Sequence, residues 1–228
     1  MSRSDALDFV HRRIAAGTFT PVTFLNAHNA NVAVEEPGFR QTLQAFTVFS
    51  DGIGVDLAAR ILYGRPFRAN LNGTDFVPDV LRSAPRPLKI GLFGARPGVA
   101  GKAAARLRAI ETRHEYQVFG HGYLGAGEVD RALDDIARWR PDILLVALGV
   151  PLQERWISEK LTADHCTMAM GIGALFDMIT DTVPRAPRWM RALRCEWIYR
   201  LWREPRRLWR RYILGNPLFL VRVAVQRL

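Results

Sequence analysis

Residues 46–56 read FTVFSDGIGVD, and this order of apolar run, Gly-containing turn and apolar periodicity decides the fold. The run Phe46–Phe49 predicts a short buried strand. From Ile53 onward, apolar residues recur at spacings of three and four, which predicts a helix. Asp51 and Gly52 lie between the two. Asp51 is therefore expected at the carboxyl end of a strand, where ligands bind in open parallel sheets.

Two interpretations of Asp51 fit this turn. In the first, its side chain caps the following helix and the glycines only form a turn. In the second, its carboxylate takes part in catalysis, the glycines let a substrate approach the backbone, and the helix N-terminus favours an anionic ligand. Helix-capping acids are far commoner than catalytic ones, so the turn by itself favours the cap.

The same order of strand, turn and helix recurs along the chain. Helical patterns of about ten to fifteen residues separate the apolar runs, as they do in parallel sheets. This alternation predicts an α/β fold with a doubly wound, mostly parallel, Rossmann-like sheet. The further predicted strands are residues 22–25, 88–93, 116–119, 142–147 and 166–170.

Polar or Gly-rich segments follow three of these strands. Residues 26–31 read NAHNAN, and each of these amide and imidazole groups needs a partner or a ligand. Residues 94–101 have the placement of a phosphate-binding turn but match neither GxGxxG nor GxxxxGK[ST], so tight packing of strand on helix is the alternative. Gln153 and Glu154 are expected in the first turn of a helix near a ligand. Alternatively, Glu154 complements the helix dipole and Gln153 is solvated.

Composition limits the class of protein. A chain of 228 residues fits one large domain, or one domain with an appendage. Its two cysteines form no CxxC or Cys/His pattern, which argues against a disulfide framework or structural zinc and favours a reducing compartment. We expect no signal peptide and no membrane-spanning helix, because no window approaches about 18 uninterrupted apolar residues.

The charge is concentrated in residues 184–228, which we call the tail. The tail holds 12 arginines and 2 glutamates, and the rest of the chain holds 20 basic and 20 acidic side chains, so the whole net charge of +10 lies in the tail. It also holds four of the six tryptophans, Trp189, Trp197, Trp202 and Trp209. Aromatic residues flanked by arginines indicate a helix at an anionic membrane surface, or alternatively a basic element packed on its own domain or on another subunit.

Seven short motifs, in this order, carry a resemblance to a known family. They are Asn26-Ala27-His28, Asp51-Gly52-Ile53-Gly54, Leu71-Asn72-Gly73-Thr74-Asp75-Phe76, Gly149-Val150-Pro151-Leu152-Gln153-Glu154, Gly171-Ile172-Gly173-Ala174, Arg185-Ala186-Pro187 and Glu196-Trp197-Ile198-Tyr199-Arg200-Leu201. With them the chain resembles the WecG/TagA/CpsF family of bacterial glycosyltransferases over nearly its whole length. The first and third motifs look most like those of members that act in exopolysaccharide assembly.

The resemblance implies an inverting glycosyltransferase of surface polysaccharide biosynthesis. The implied donor is a nucleotide-sugar, usually a UDP-sugar, and the implied acceptor is a sugar linked to polyprenyl diphosphate. It implies neither a cofactor nor a metal. The implied location is peripheral, on the cytoplasmic face of the bacterial inner membrane. Residues 1–183 would form the catalytic core and the tail a membrane-binding appendage.

The resemblance also implies roles for individual residues. Asp51 matches the proposed catalytic base, Asn26 a polar residue beside it, Gln153 a glutamine near the donor, and Arg68 an arginine proposed to bind diphosphate. We predict further substrate contacts for His28, Asn29, Asn72, Gly73, Asp75, Gly149 and Glu154. For the acceptor diphosphate or lipid headgroups, we predict contacts from Arg185, Arg200, Arg206, Arg207, Arg210 and Arg211.

Two competing functions follow from the residues alone. A basic nucleic-acid-binding protein would use the tail as its contact, and its binding would weaken steeply with salt. A nucleotide-binding oxidoreductase is disfavoured because GxGxxG is missing. The favoured interpretation expects no nucleic-acid partner. It expects an anionic membrane surface as a partner and allows for a homo-oligomer.

Overall fold

The computed structural model describes residues 1–180, 186–187, 190 and 196–227. Its strands are β1 (Thr20–Leu25), β2 (Thr47–Ser50), β3 (Lys89–Gly94), β4 (Glu115–Gly120), β5 (Ile143–Ala147) and β6 (Met168–Gly171). The helices before the tail are α1 (Arg3–Ala15), α2 (Ala27–Glu35), α3 (Pro37–Leu43), α4 (Ile53–Tyr63), α5 (Gly73–Ser83), α6 (Val99–Ile110), α7 (Ala126–Trp139), α8 (Leu152–Lys160) and α9 (Leu175–Ile179). In the tail, α10 (Glu196–Arg203), α11 (Pro205–Trp209), a π-helical turn (Arg210–Leu214) and α12 (Gly215–Arg227) follow.

The six strands form one parallel sheet in the order β2-β1-β6-β5-β3-β4. This confirms the predicted α/β class and each of the predicted strands, with shifts at their ends. The inner strands are largely buried because the sheet is covered on both faces there, whereas the edge strands β2 and β4 keep exposed residues such as Val48 and Val118. In β5, Ile143 and Leu145 face one core while Leu144 and Val146 face the other.

The connections of the sheet create a crevice between β3 and β5. After β3, α6 packs on one face with α1, α5 and α9, while α8, which follows β5, packs on the opposite face with α7. Two neighbouring strands whose chains leave to opposite faces define the topological switch point, where α/β proteins bind ligands. The loops after Gly94 and Ala147 border this crevice.

Asparagine side chains start two of the helices near the carboxyl edge of the sheet. Asn26 Oδ1 accepts hydrogen bonds from the backbone N–H groups of His28 and Asn29, at 3.1 and 3.2 Å, and so caps α2. Asn72 Oδ1 accepts from the N–H of Asp75 at 3.0 Å and caps α5. Short polar side chains at these positions satisfy N–H groups that the helix itself leaves unpaired.

The interpretation of Asp51 as a helix cap is wrong. Helix α4 begins at Ile53, its N-cap is Gly52 with φ 94°, and it has no side-chain capping hydrogen bond. A positive φ of this size suits glycine because a Cβ would clash with the backbone. Asp51 lies one residue before the capping position, so its carboxylate is free for contacts outside the helix.

The last helix of the tail packs on the core. Phe219 and Val223 of α12 are buried against Ala27 on α2 and against Val55 and Ala58 on α4. Burial of this apolar face is the main force that holds α12 to the core. This is the packing that the alternative interpretation of the tail expected.

Polar contacts fix the position of α12 along α2. Asn31 Nδ2 donates to the carbonyl oxygen of Gly215 at 2.7 Å, and Arg222 donates to Asn31 Oδ1 at 2.9 Å and to Glu35 Oε1 at 3.0 Å. No helix in the described part of the chain is both long and apolar enough to cross a bilayer.

Candidate active site

Two connected compartments open at the carboxyl edge of the sheet, beneath the tail. The first, of about 620 Å³, is the apolar compartment, and much of its wall comes from α4, the π-helical turn and α12. The second, of about 530 Å³, is the polar compartment, and it reaches the crevice between β3 and β5. Both are lined by Asn26, His28, Asp51, Thr74, Arg200 and Arg211. Asp51 therefore lies where the two meet.

Three hydrogen bonds hold Asp51 and its turn in place. The Asp51 N–H donates to the carbonyl oxygen of Leu25 at 2.8 Å, which extends the pairing of β1 with β2 by one residue. The N–H of Gly52 donates to Asn70 Oδ1 at 3.0 Å. Asn26 Nδ2 donates to Asp51 Oδ2 at the long distance of 3.4 Å. The carboxylate is thus positioned while most of its hydrogen-bonding capacity stays available.

The surroundings of Asp51 suit a proton acceptor. Burial raises the pKa of the Asp51 carboxyl above its ordinary value of 3.8, while the hydrogen bond from Asn26 and the charges of Arg200 and Arg211 oppose this rise. A raised pKa makes the carboxylate a stronger base than a solvated aspartate, and general bases work best when their pKa is close to the working pH.

The polar residues after β1 have different tasks. Asn26 both caps α2 and contacts Asp51, whereas the buried Asn29 donates to the carbonyl oxygen of Phe24 at 2.8 Å. His28 borders both compartments, and burial together with the charge of Arg211 lowers its pKa to about 4. Its imidazole is therefore neutral at physiological pH and can donate or accept a hydrogen bond.

Two tail arginines point to the junction of the compartments. Arg211 belongs to the π-helical turn, and its Nε is buried without a hydrogen-bond partner among the described residues. Among the described residues, the Arg200 guanidinium contacts Glu196 Oε1 at 3.7 Å and donates to Met178 Sδ at 3.3 Å. Guanidinium groups placed in this way can bind phosphate oxygens.

The other predicted arginines lie elsewhere. Arg207 lines the polar compartment and pairs with Glu204 at 2.5 Å. Arg206 and Arg210 are exposed and line neither compartment, and Arg210 stacks on Trp209 with 5.4 Å between guanidinium carbon and ring centroid. Arg68 is exposed away from both compartments. Arg185 lies outside the described residues.

Residues 72–75 of the third motif form part of the walls of both compartments. Asn72 and Asp75 line the apolar compartment, and Asn72 Nδ2 donates to Asp75 Oδ2 at 3.1 Å. Gly73 borders the polar compartment, and a Cβ placed there would lie 2.9 Å from the Phe24 ring. Glycine is needed here because the start of α5 packs directly against that ring.

The motif after β5 contributes residues to the wall of the polar compartment and places Glu154 beneath it. Gly149 and Gln153 line the polar compartment, but the Gln153 side chain is only 2% exposed, so it is not solvated. Glu154 is fully buried and lines neither compartment. In the Gly-rich segment after β3, Ala95 and Arg96 border the polar compartment, and the Ala95 N–H is bonded to Ala147 O at 2.6 Å.

Several lining residues were not identified from the sequence. Trp197 and Tyr212, whose ring centroids are 5.8 Å apart, form a wall of the apolar compartment with Asn70. Tyr123 borders the polar compartment. Asn70 lies directly before Leu71, in the Asn-Leu-Asn-Gly-Thr-Asp form of the third motif, and that form was the sequence signal for it. Within the described ranges, no group of three or more His, Cys, Asp or Glu side chains is arranged to hold a metal ion.

Comparison with known proteins gives a consistent result. A model of the glycosyl transferase WecG/TagA/CpsF family matches residues 1–228. The chain is 30% identical to a Bacillus subtilis protein over 89% of its own length and 78% of the relative. It is 30% identical to a Bacillus spizizenii protein, over 84% and 73%, and 28% identical to one from Staphylococcus aureus strain MW2, over 87% and 77%. All three carry the name N-acetylglucosaminyldiphosphoundecaprenol N-acetyl-beta-D-mannosaminyltransferase.

Proposed function

This chain belongs to the WecG/TagA/CpsF family of glycosyl transferases, and from that premise we propose that it moves a sugar from a nucleotide-sugar to a lipid-linked sugar. The donor is a UDP-sugar, and the acceptor is a sugar on polyprenyl diphosphate. The names of the relatives, which act on an N-acetylglucosaminyl-diphospho-polyprenol, support this acceptor class. The reaction belongs to surface polysaccharide biosynthesis.

The meeting of two unlike compartments at one carboxylate carries this proposal. A nucleotide-sugar is polar and anionic and fits the polar compartment at the switch point of the sheet. A polyprenyl diphosphate has an apolar chain next to two phosphates. The apolar compartment offers Ile53, Leu57 and Leu220 for the chain, with Arg200 and Arg211 at its inner end for the phosphates.

The reaction follows as a single displacement at the junction. Asp51 accepts the proton of the attacking acceptor hydroxyl, and the hydroxyl oxygen forms a bond to the anomeric carbon of the donor sugar. The bond from that carbon to the diphosphate breaks, and the nucleoside diphosphate leaves with the electron pair. Attack from the side opposite the leaving group inverts the anomeric configuration. Arg200 and Arg211 stabilise the negative charge of the phosphate groups at the junction without a metal ion.

The tail acts in this proposal as an appendage that completes the site and contacts the membrane. Residues 184–228 bring Trp197, Arg200 and Arg211 to the compartments. Their outer surface exposes Trp202, Leu214 and Val221 beside arginines, a combination suited to the headgroup region of an anionic bilayer. The protein is then peripheral, on the cytoplasmic face of the inner membrane, with residues 1–183 as the catalytic core.

The decisive experiment is turnover of a nucleotide-sugar panel. The purified protein is incubated with each nucleotide-sugar and a synthetic lipid-diphosphate-sugar acceptor, and products are identified by mass spectrometry. We expect one UDP-sugar to extend the acceptor by one sugar with inverted anomeric configuration. Absence of transfer from every donor, with the acceptor presented in bilayers, would contradict the proposal.

Membrane contact is tested separately by liposome flotation. Full-length protein is expected to float with anionic vesicles and to bind neutral vesicles weakly, and a gel shift with DNA and RNA distinguishes the nucleic-acid alternative. Trp202→Ala removes an exposed anchor and should reduce flotation. Val34→Ala, an exposed apolar residue on α2, provides the matched control.

A further inference from the structure

A buried carboxyl group lies beneath the polar compartment without touching it. The Glu154 side chain is 0% exposed. Its Oε1 accepts a hydrogen bond from Thr23 Oγ1 at 2.6 Å and another from Gln153 Nε2 at 2.9 Å. Its Oε2 is buried and has no hydrogen-bond partner among the described residues. Burying a carboxyl oxygen without a hydrogen-bond partner costs folding free energy. Glu154 is therefore a candidate for a functional role.

The Gln153 amide is held at both ends. Its Oε1 accepts from the N–H of Gly173 at 3.1 Å, and its Nε2 donates to Glu154. A Cβ at Gly171 would lie 2.9 Å from Nε2, so the amide lies flat against the end of β6. An amide group has similar size in either orientation, and the hydrogen-bond partners alone decide which atom points where. Here Glu154, which accepts from Nε2, and the Gly173 N–H, which donates to Oε1, favour the same orientation.

We propose that Glu154 is a positioning residue that orients the Gln153 amide and, through it, the Gly173 loop at the wall of the polar compartment. Only one Nε2 hydrogen is used by Glu154, so the second is left for an oxygen of the donor. Because this wall of the polar compartment is already held in place, it loses less conformational entropy when the donor binds. This inference rests on the proposed use of the polar compartment for the donor nucleotide.

The chemistry of Glu154 identifies the variant that should preserve this role. Burial raises the pKa of the Glu154 carboxyl, and the hydrogen bonds from Thr23 and Gln153 oppose the rise. A proton on Oε2 would leave Oε1 able to accept both hydrogen bonds. A glutamine with its Oε1 in the same place would do the same. Methionine has a similar shape but no acceptor of comparable strength.

The test compares UDP affinity by calorimetry in matched variants. Glu154→Gln should bind UDP within about twofold of wild type, and Glu154→Met about tenfold more weakly, a factor worth ~1.4 kcal/mol. Thr23→Val removes the other hydrogen bond to Glu154 but leaves Gln153 held, so its UDP affinity should stay within about twofold. When Gln153 is already alanine, adding Glu154→Met should cause no further loss of UDP affinity, because Glu154 affects UDP binding only through the Gln153 side chain.

Two outcomes would overturn this role. One is a Glu154→Met loss that persists in full when Gln153 is alanine, and the other is an equal loss in Thr23→Val. A second measurement does not depend on the nucleotide: the Gln153 side-chain amide protons should be protected from hydrogen exchange in wild type and Glu154→Gln but not in Glu154→Met. Protection retained in Glu154→Met contradicts the proposal. Failure of wild type to bind UDP contradicts only the donor assignment above.

Discussion

At the scale of single residues, the site depends on the different surroundings of two carboxyl groups, those of Asp51 and Glu154. Asp51 borders both compartments and, among the described residues, accepts one long hydrogen bond, from Asn26, so it can receive a proton from a substrate. Glu154 is sealed beneath the site and accepts two hydrogen bonds. Burial raises the pKa of both. Their roles differ because Asp51 is accessible from the cavity and Glu154 is not, whereas the direction of the pKa shift is the same for both.

Replacing Asp51 with asparagine tests the proposed base. Asp51→Asn should lower kcat at least about a hundredfold, the lower end of the range for a general base, while the Kd for UDP stays within about twofold. Since burial raises the pKa of Asp51, its ionised form costs stability at neutral pH, so the variant should melt at the same temperature or higher. A turnover rate near that of wild type would contradict the assignment.

The pH dependence of turnover tests the surroundings of Asp51. The base is active when deprotonated, so kcat/KM should fall as the pH drops through the raised pKa of Asp51. The charge of Arg211 lowers that pKa, so Arg211→Ala should move the acid limb to higher pH. The neighbouring Arg210 is exposed and lines neither compartment, so Arg210→Ala should leave the midpoint unchanged. Equal shifts in both variants would contradict this explanation.

At the scale of elements, the site is built where strands end and helices begin. Asn26 starts α2, Gly52 starts α4 and Asn72 starts α5, and all three line the apolar compartment. The cap residue fixes the direction in which each helix leaves the sheet, and so fixes the wall of the cavity. Local sequence signals and the shape of the site are therefore closely linked here.

Two glycines within helices should respond oppositely to alanine. At Gly73, a Cβ would lie 2.9 Å from the Phe24 ring, so Gly73→Ala should reduce the free energy of unfolding by about 1–3 kcal/mol through overpacking. At Gly101 in α6, nothing lies within 4 Å, so Gly101→Ala should increase it by up to ~1 kcal/mol. Urea denaturation measures both. Equal and small effects would show that α5 can move away from Phe24.

At the scale of the whole molecule, the tail is part of the site. Asn31 on α2 holds Gly215 and Arg222, which are 184 and 191 residues away in sequence. This contact places the π-helical turn, and therefore Arg211 and Tyr212, above Asp51. Residues of the tail and of the core, from Asn26 to Leu220, therefore line one pocket.

Loosening the contact at Asn31 should impair acceptor use more than donor binding. Asn31→Ala removes the hydrogen bond to the Gly215 carbonyl oxygen and one of the two side-chain partners of Arg222, which keeps its contact with Glu35. The loss should cost about 1–3 kcal/mol in the free energy of unfolding. We expect the acceptor KM to rise several-fold while the Kd for UDP changes less than twofold. Val34→Ala, exposed on the same helix, is the control. An unchanged acceptor KM would show that the tail keeps its position without Asn31.

The sequence by itself determined the sheet, because strand length, apolar runs and turn residues are local properties that a parallel α/β fold requires in a fixed order. It also indicated Asp51, Asn26 and Gln153, since these follow strands whose carboxyl ends share one edge. Their roles followed from the family resemblance.

Only the tertiary structure decided which groups meet. Local spacing could not distinguish Asp51 as a cap from Asp51 at the junction of two compartments. The choice depends on the dihedral angle of Gly52 and on Asn26, which follows a different strand. Nor could local spacing separate Arg211, at the junction, from Arg210, in solvent, since both belong to one arginine-rich run. That distinction arises from the packing of α12 on α2 and α4, where residues nearly 200 positions apart bury their apolar faces together.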